Sequence, residues 1–62
     1  MSERKAIERQ TITVQETAAY LGISKDLVYA MAKAGELPAV KIGRRILFRK
    51  ESLDRWMQAQ EM

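Results

Sequence analysis

The side chains in this sequence best equipped for chemistry are cations, and their spacing suits capture of an anion rather than bond making. Lys25, Tyr29 and Lys33 stand at i, i+4 and i+8, an interval that lines one side of a helix turning about 100° per residue. Ala30 lies beside that stripe, and Ser24 immediately precedes it. Arg44 and Arg45 directly follow Gly43, so two guanidiniums would share one tight turn, with Lys41 and Arg49 flanking them on the same ribbon. Lysine ammonium and tyrosine hydroxyl groups can donate to guanine acceptors or to phosphate, and a small alanine can touch a thymine methyl. Arginine grips phosphate in bidentate fashion and enters narrow minor grooves.

The charge distribution agrees. The 62 residues carry a net +3, but not evenly. Residues 25–50 hold seven basic side chains against Asp26 and Glu36, a net of +5, while residues 1–24 balance to zero and residues 51–62 to −2. Positive charge concentrated in one segment is the electrostatic footprint of a polyanionic partner. A solvated charged surface is the plain alternative for the helix, and charge that blocks edge-to-edge strand pairing is the plain alternative for the hairpin. Tyr29 counts against the first, since a large ring between exposed lysines has little core value.

Composition excludes other classes. There is no cysteine and no histidine, which removes disulfides, zinc fingers, thiol chemistry and the usual general base near neutral pH. No catalytic residue, metal ligand or cofactor is therefore expected, and the chain is not read as an enzyme. No long apolar run or signal-peptide pattern is present, which makes the cytoplasm the expected address and a membrane partner unexpected. The hydrophobic share of 47% suits one small globular domain, which at this size buries only about 60% of its unfolded surface.

Three helices and a hairpin must position the cations. Residues 1–10, mostly charged, read as a flexible tail, and residues 11–62 as the single domain. Thr11-Ile12-Thr13 is a brief extended lead-in. Thr13 and Glu16 have the spacing of a capping box, which starts a first helix at Val14 and carries it to about Leu21. Val14, Thr17, Ala18 and Leu21 would share its inner face. The helix's N–H groups at that end, with Thr13 and Gln15, are a candidate phosphate anchor. Gly22-Ile23 breaks the helix, and Ser24 caps a second one from Lys25 to Ala34, which Gly35 stops. A turn of about three residues between helices suits a helix-turn-helix. On the second helix Leu27, Val28 and Met31 fall on one arc, with the Lys25–Tyr29–Lys33 stripe on the opposite side. Val40-Lys41-Ile42 alternates as a half-buried strand should, Gly43-Arg44 turns the chain, and Ile46-Leu47-Phe48 returns. A last helix from about Lys50 to Gln60 aligns Leu53, Trp56 and Met57.

Residues 11–57 resemble the excisionase-like DNA-binding domains, relatives of the MerR-type winged helix-turn-helix. The resemblance is carried by Val14, Ala18-Ala19 and Leu21-Gly22-Ile23-Ser24 at the turn, and by Gly35 and Leu37-Pro38 at the exit. Lys41-Ile42-Gly43-Arg44-Arg45 carries it in the wing, and Phe48-Arg49, Leu53 and Trp56 toward the closing helix. It implies an α+β, mainly α fold: three helices with a two-stranded antiparallel hairpin, the wing, between the second and third. It also implies sequence-specific double-stranded DNA binding. The second helix would enter the major groove and the wing would grip backbone or minor groove, with Ser24, Lys25, Tyr29, Lys33, Arg44 and Arg45 as contacts. The implied role is assistance to site-specific recombination beside an integrase or recombinase. The alternative is a small transcriptional regulator of a phage or mobile element. A protein-interaction module without DNA binding, using Leu47, Tyr20 or the tail, is the third reading. Leu47 departs from the pattern, since similar domains often carry a basic or polar residue there. That substitution removes one phosphate contact or creates a small apolar patch. A bacterial or phage-encoded, nucleoid-associated chain is implied; with no coiled-coil heptad in the sequence, a monomer in solution is expected, with cooperative association along DNA through the wing or tail.

Overall fold

The computed structural model describes residues 10–62. The expected tail lies outside the described residues except for Gln10, which is exposed. The elements run β1 (Thr11–Thr13), α1 (Val14–Leu21), α2 (Lys25–Lys33), β2 (Val40–Ile42), β3 (Arg45–Arg49) and α3 (Lys50–Gln60).

Local signals set the helix ends. The Thr13 hydroxyl accepts from the Glu16 N–H at 3.1 Å, and the Glu16 carboxylate accepts from the Thr13 N–H at 2.9 Å. This reciprocal pair satisfies two donors that a bare helix start would leave open. At the other end Gly22 takes a left-handed φ of 76°, and the N–H groups of Gly22 and Ile23 both close on the Ala18 carbonyl. The Ser24 hydroxyl then accepts from the Leu27 N–H at 3.1 Å to start α2. Only Gly22, Ile23 and Ser24 separate the two helices, so α2 is held at a fixed angle to α1. The exit of α2 is also closed: Gly35 N–H donates to the Ala32 carbonyl and Glu36 N–H to the Met31 carbonyl, the two bonds of a Schellman motif.

The hairpin is joined by a third strand. β3 lies in the centre of an antiparallel sheet of order β1-β3-β2. Thr11, Ile12 and Thr13 pair with Arg49, Phe48 and Leu47, and Val40, Lys41 and Ile42 with Leu47, Ile46 and Arg45. Facing residues of such pairs share a side of the sheet. Ile12, Ile46, Phe48 and Lys41 therefore point toward the core side, and Thr13, Val40, Ile42, Arg45 and Leu47 to the other. The alternation expected of β2 is present, but its phase puts Ile42 outward, 56% exposed. The register explains this. Ile42 faces Arg45 across a two-residue turn while Phe48 is turned inward and fully buried, which leaves no inward slot for Ile42.

The core consists of Val14, Ala18, Val28, Leu37, Phe48 and Leu53, ringed by Ile12, Leu21, Ile23, Met31, Ala32, Ile46 and Trp56. Every element except β2 contributes to it or rings it. Thr17 is fully buried with them, and its hydroxyl has no hydrogen-bond partner among the described residues. Leu27 departs from the expected apolar arc: it is 45% exposed. It sits about 100° around α2 from Val28, and α2 packs chiefly on α1, so among the described residues no element packs over that flank.

Two polar ties fix α3 to the helix-turn-helix. The Tyr20 hydroxyl donates to the Asp54 carboxylate. This bond favours the neutral phenol, and with partial desolvation and the nearby negative charge it raises the tyrosine above its ordinary pKa. The Trp56 indole N–H donates to the Glu36 carbonyl at 2.8 Å, just beyond α2.

Candidate nucleic-acid interface

The α2 stripe and the hairpin tip meet on one side of the molecule. An open hollow of about 430 Å³ is lined by Lys25 and Tyr29 from α2 and by Arg44, Arg45, Ile46 and Leu47 from the hairpin. Thr13, Val14 and Gln15 at the start of α1 complete it. Three segments remote in sequence thus surround one concavity. Val14, Ile46 and Leu47 supply its aliphatic lining beside the cations and hydroxyls.

Each of these polar groups is placed by a local cause. Lys25 and Tyr29 are one helical turn apart on α2, and Tyr29 is 45% exposed, so its phenol is free to reach outward. Arg44 and Arg45 are presented by the turn after Ile42. Gly43 there has a φ of 59°, and no other residue of the hairpin has a positive φ. A two-residue loop with glycine first and that sign pattern fits a type II′ turn, whose twist matches the flanking strands. A side chain at Gly43 would meet strain even though the space around it is open.

A second hollow of about 400 Å³ has Ile46 in common with the first and is otherwise lined by Ala32, Lys33, Ala39 and Lys41. Lys41 reaches it because its strand position points to the core side at the sheet's edge. The stripe therefore lies on the flank of α2 that faces the wing, about 60–140° around from Val28, and not directly opposite the core arc as the sequence reading had it. The most outward positions on α2 are Asp26 and Ala30.

The electrostatics of this side are uncompensated. Lys25, Lys33, Lys41, Arg44 and Arg45 are all exposed, and none makes an ion pair among the described residues. Arg49 differs. It stands at the far end of β3 from the tip, 3.4 Å from Glu51, and lines a separate hollow with Gln10, Lys50 and Glu51. The structure thus does not bring Arg49 to the wing tip: four residue steps along the strand, about 13 Å, separate it from Arg45. Ser24 is engaged in capping α2. Ala30 is exposed on α2 but lines neither hollow.

The proposed anchor at the start of α1 is divided. Thr13 and Gln15 both line the main hollow, yet the Thr13 hydroxyl is already committed to the cap, and Glu16 brings a carboxylate to that helix end. Gln15, exposed on the first turn, is the side chain of the pair left to reach an anion. Sequence reasoning singled out Leu47 as a departure from the pattern but missed Val14 and Ile46 as lining residues. The signal that could have found them is strand register: the turn at Gly43-Arg44 sets which residues of β3 lie beside the tip.

A family model described as "Helix-turn-helix domain" matches residues 11–61. Two proteins of Mycobacterium tuberculosis are 45% identical to the chain over 42 residues. One, from strain CDC 1551 / Oshkosh, is named "Putative DNA-binding protein MT0521". The other, from strain ATCC 25618 / H37Rv, is named "Putative DNA-binding protein Rv0500A". Each alignment covers 68% of this chain and 54% of the relative, so the chain spans about half the length of the curated relatives it matches. No solved structure matches the chain.

Proposed function

The chain belongs to the helix-turn-helix domain family, and from that premise we propose that it binds double-stranded DNA in a sequence-specific manner. Helix α2 enters the major groove, which accepts a helix of about 10–12 Å diameter, and the wing lies on the backbone or in the adjacent minor groove. The observation that carries this reading is the convergence of Lys25 and Tyr29 with Arg44 and Arg45 around one hollow. The names of the two mycobacterial relatives support the same ligand. The role is binding rather than catalysis, since the sequence has no histidine or cysteine to act as base or nucleophile in that hollow.

Lys25 and Tyr29 meet base edges or phosphate, Lys33 and Lys41 follow one strand's backbone, and Arg44 and Arg45 clamp the other. In the cell the chain assists site-specific recombination beside an integrase, acting as a monomer that binds cooperatively to adjacent sites. Regulation of transcription at an operator uses the same contacts and is the alternative. Among the described residues no helix is long and apolar enough to cross a membrane, and the nucleoid is the proposed location.

A mobility-shift titration on duplex DNA at several salt concentrations tests the central point. Affinity should fall steeply with salt, with a log–log slope of about 0.9 per phosphate neutralised. Salt-insensitive binding, or none, would overturn it. DNA bending together with altered recombination by an integrase supports the finer role, and binding that leaves DNA straight and recombination unchanged favours the regulator.

A further inference from the structure

We propose that Asp26 is a specificity-determining residue of α2, accepting a hydrogen bond from the exocyclic amino group of a cytosine in the major groove. The inference rests on the DNA-binding reading above and adds to it the base that one acidic side chain selects.

Position comes first. With fully buried Val28 taken as zero, about 100° per residue places Asp26 near 160° and Ala30 near 200° around α2. These two form the outermost crest of the helix, while Lys25, Tyr29 and Lys33 lie on the flank toward the wing. A helix lowered into a groove meets the base edges with its crest and the backbone with its flanks. Ala30 ends at Cβ, so nothing beside Asp26 holds the crest away from the bases.

Chemistry selects the partner. Asp26 is exposed, and its carboxylate has no hydrogen bond or ion pair among the described residues. The residues three and four positions on are Tyr29 and Ala30, so α2 offers it no cation at helical spacing. An unmatched carboxylate pressed against DNA would lose water and face phosphate repulsion. The major groove contains only two base donors, the amino groups of cytosine and adenine. Adenine carries the N7 acceptor beside its amino group, which repels a second carboxylate oxygen. Cytosine does not, so it is the better match.

The test begins with selection of binding sites from a pool of randomised duplexes for the parent chain, Asp26→Ala and Asp26→Asn. Titrations follow on the parent's selected duplex and its single-base-pair substitutions. The expected result is one position held to cytosine by about 5- to 150-fold in the parent, with that preference alone lost in Asp26→Ala. Asp26→Asn should shift it toward adenine, which asparagine binds through N6 and N7. Thermal melting confirms that the variants are folded, and the asparagine variant keeps a residue suited to a helix start. If both variants keep the parent's preference at every position and change affinity only uniformly, Asp26 is merely a helix-end charge and the inference fails while DNA binding stands. A parent chain that enriches no duplex overturns the DNA-binding reading itself, and this inference with it.

Discussion

Replacing both tip arginines, Arg44→Ala with Arg45→Ala, should change how DNA affinity responds to salt by an amount that can be worked from the interface. Five cations line the two hollows that share Ile46: Lys25, Lys33, Lys41, Arg44 and Arg45. If all five meet phosphates, the slope of log affinity against log salt is about −4.5, and a rise from 50 to 200 mM salt weakens binding about 500-fold. Without the two arginines the slope becomes about −2.7, and the same rise weakens binding only about 40-fold. The assay is a fluorescence-anisotropy titration of a labelled duplex at four or more salt concentrations, with Arg49→Ala as the internal control. Arg49 sits beside Glu51 outside both hollows, so its removal should leave the slope near the parent's. An unchanged slope in the double variant would refute the reasoning about the wing. An equal loss in Arg49→Ala would refute the assignment of the DNA-facing side.

Three further outcomes concern the scaffold. Thr17→Val should stabilise the fold by about 1–3 kcal/mol, since the buried hydroxyl has no partner and valine keeps its shape. A lower urea midpoint for the variant would mean that the hydroxyl is satisfied after all. Trp56→Phe removes the 2.8 Å bond to the Glu36 carbonyl and should cost about 1 kcal/mol, whereas Trp56→Ala should cost up to about 3–5 kcal/mol; equal losses in denaturant titrations would deny the indole N–H a role. Tyr20 has its pKa raised above 10.0 by the bond to Asp54, so the folded state favours its neutral form. That contribution is fully present below the unfolded tyrosine's pKa and is lost as pH climbs through the folded value. Melting temperatures taken from pH 8 upward should therefore fall more steeply above pH 10 for the parent than for Tyr20→Phe, and parallel curves would contradict the assignment.

Much of this fold was legible because its boundaries are written in short-range chemistry. Thr13 with Glu16, Gly22, Ser24 and Gly35 act within four residues of themselves, so helix ends could be read directly and were met to within a residue. Periodicity revealed the phase of α1, where Val14, Thr17 and Ala18 are buried and Gln15, Glu16 and Ala19 are exposed. It did not reveal the width of the buried arc on α2. Leu27 is left outside because, among the described residues, α2 packs chiefly on α1 and no element packs over that flank. The pairing of Thr11–Thr13 with β3 joins residues more than 30 positions apart, and no local signal announces such a contact. The same limit governed the site. The convergence of α2 with the tip could be stated as a geometric requirement, but the position of Arg49 at the wrong end of β3 followed only from the register.

The central position of β3 constrains how such a wing can change. Its residues alternate sides, it is held on both edges by β1 and β2, and it runs without a break into α3. Adding two residues to each arm of the ribbon would carry the guanidiniums outward by about 7 Å with their aim preserved. Adding one would turn them toward the opposite side of the ribbon. Descendants of this chain that reach for a more distant phosphate should therefore differ in wing length by even steps.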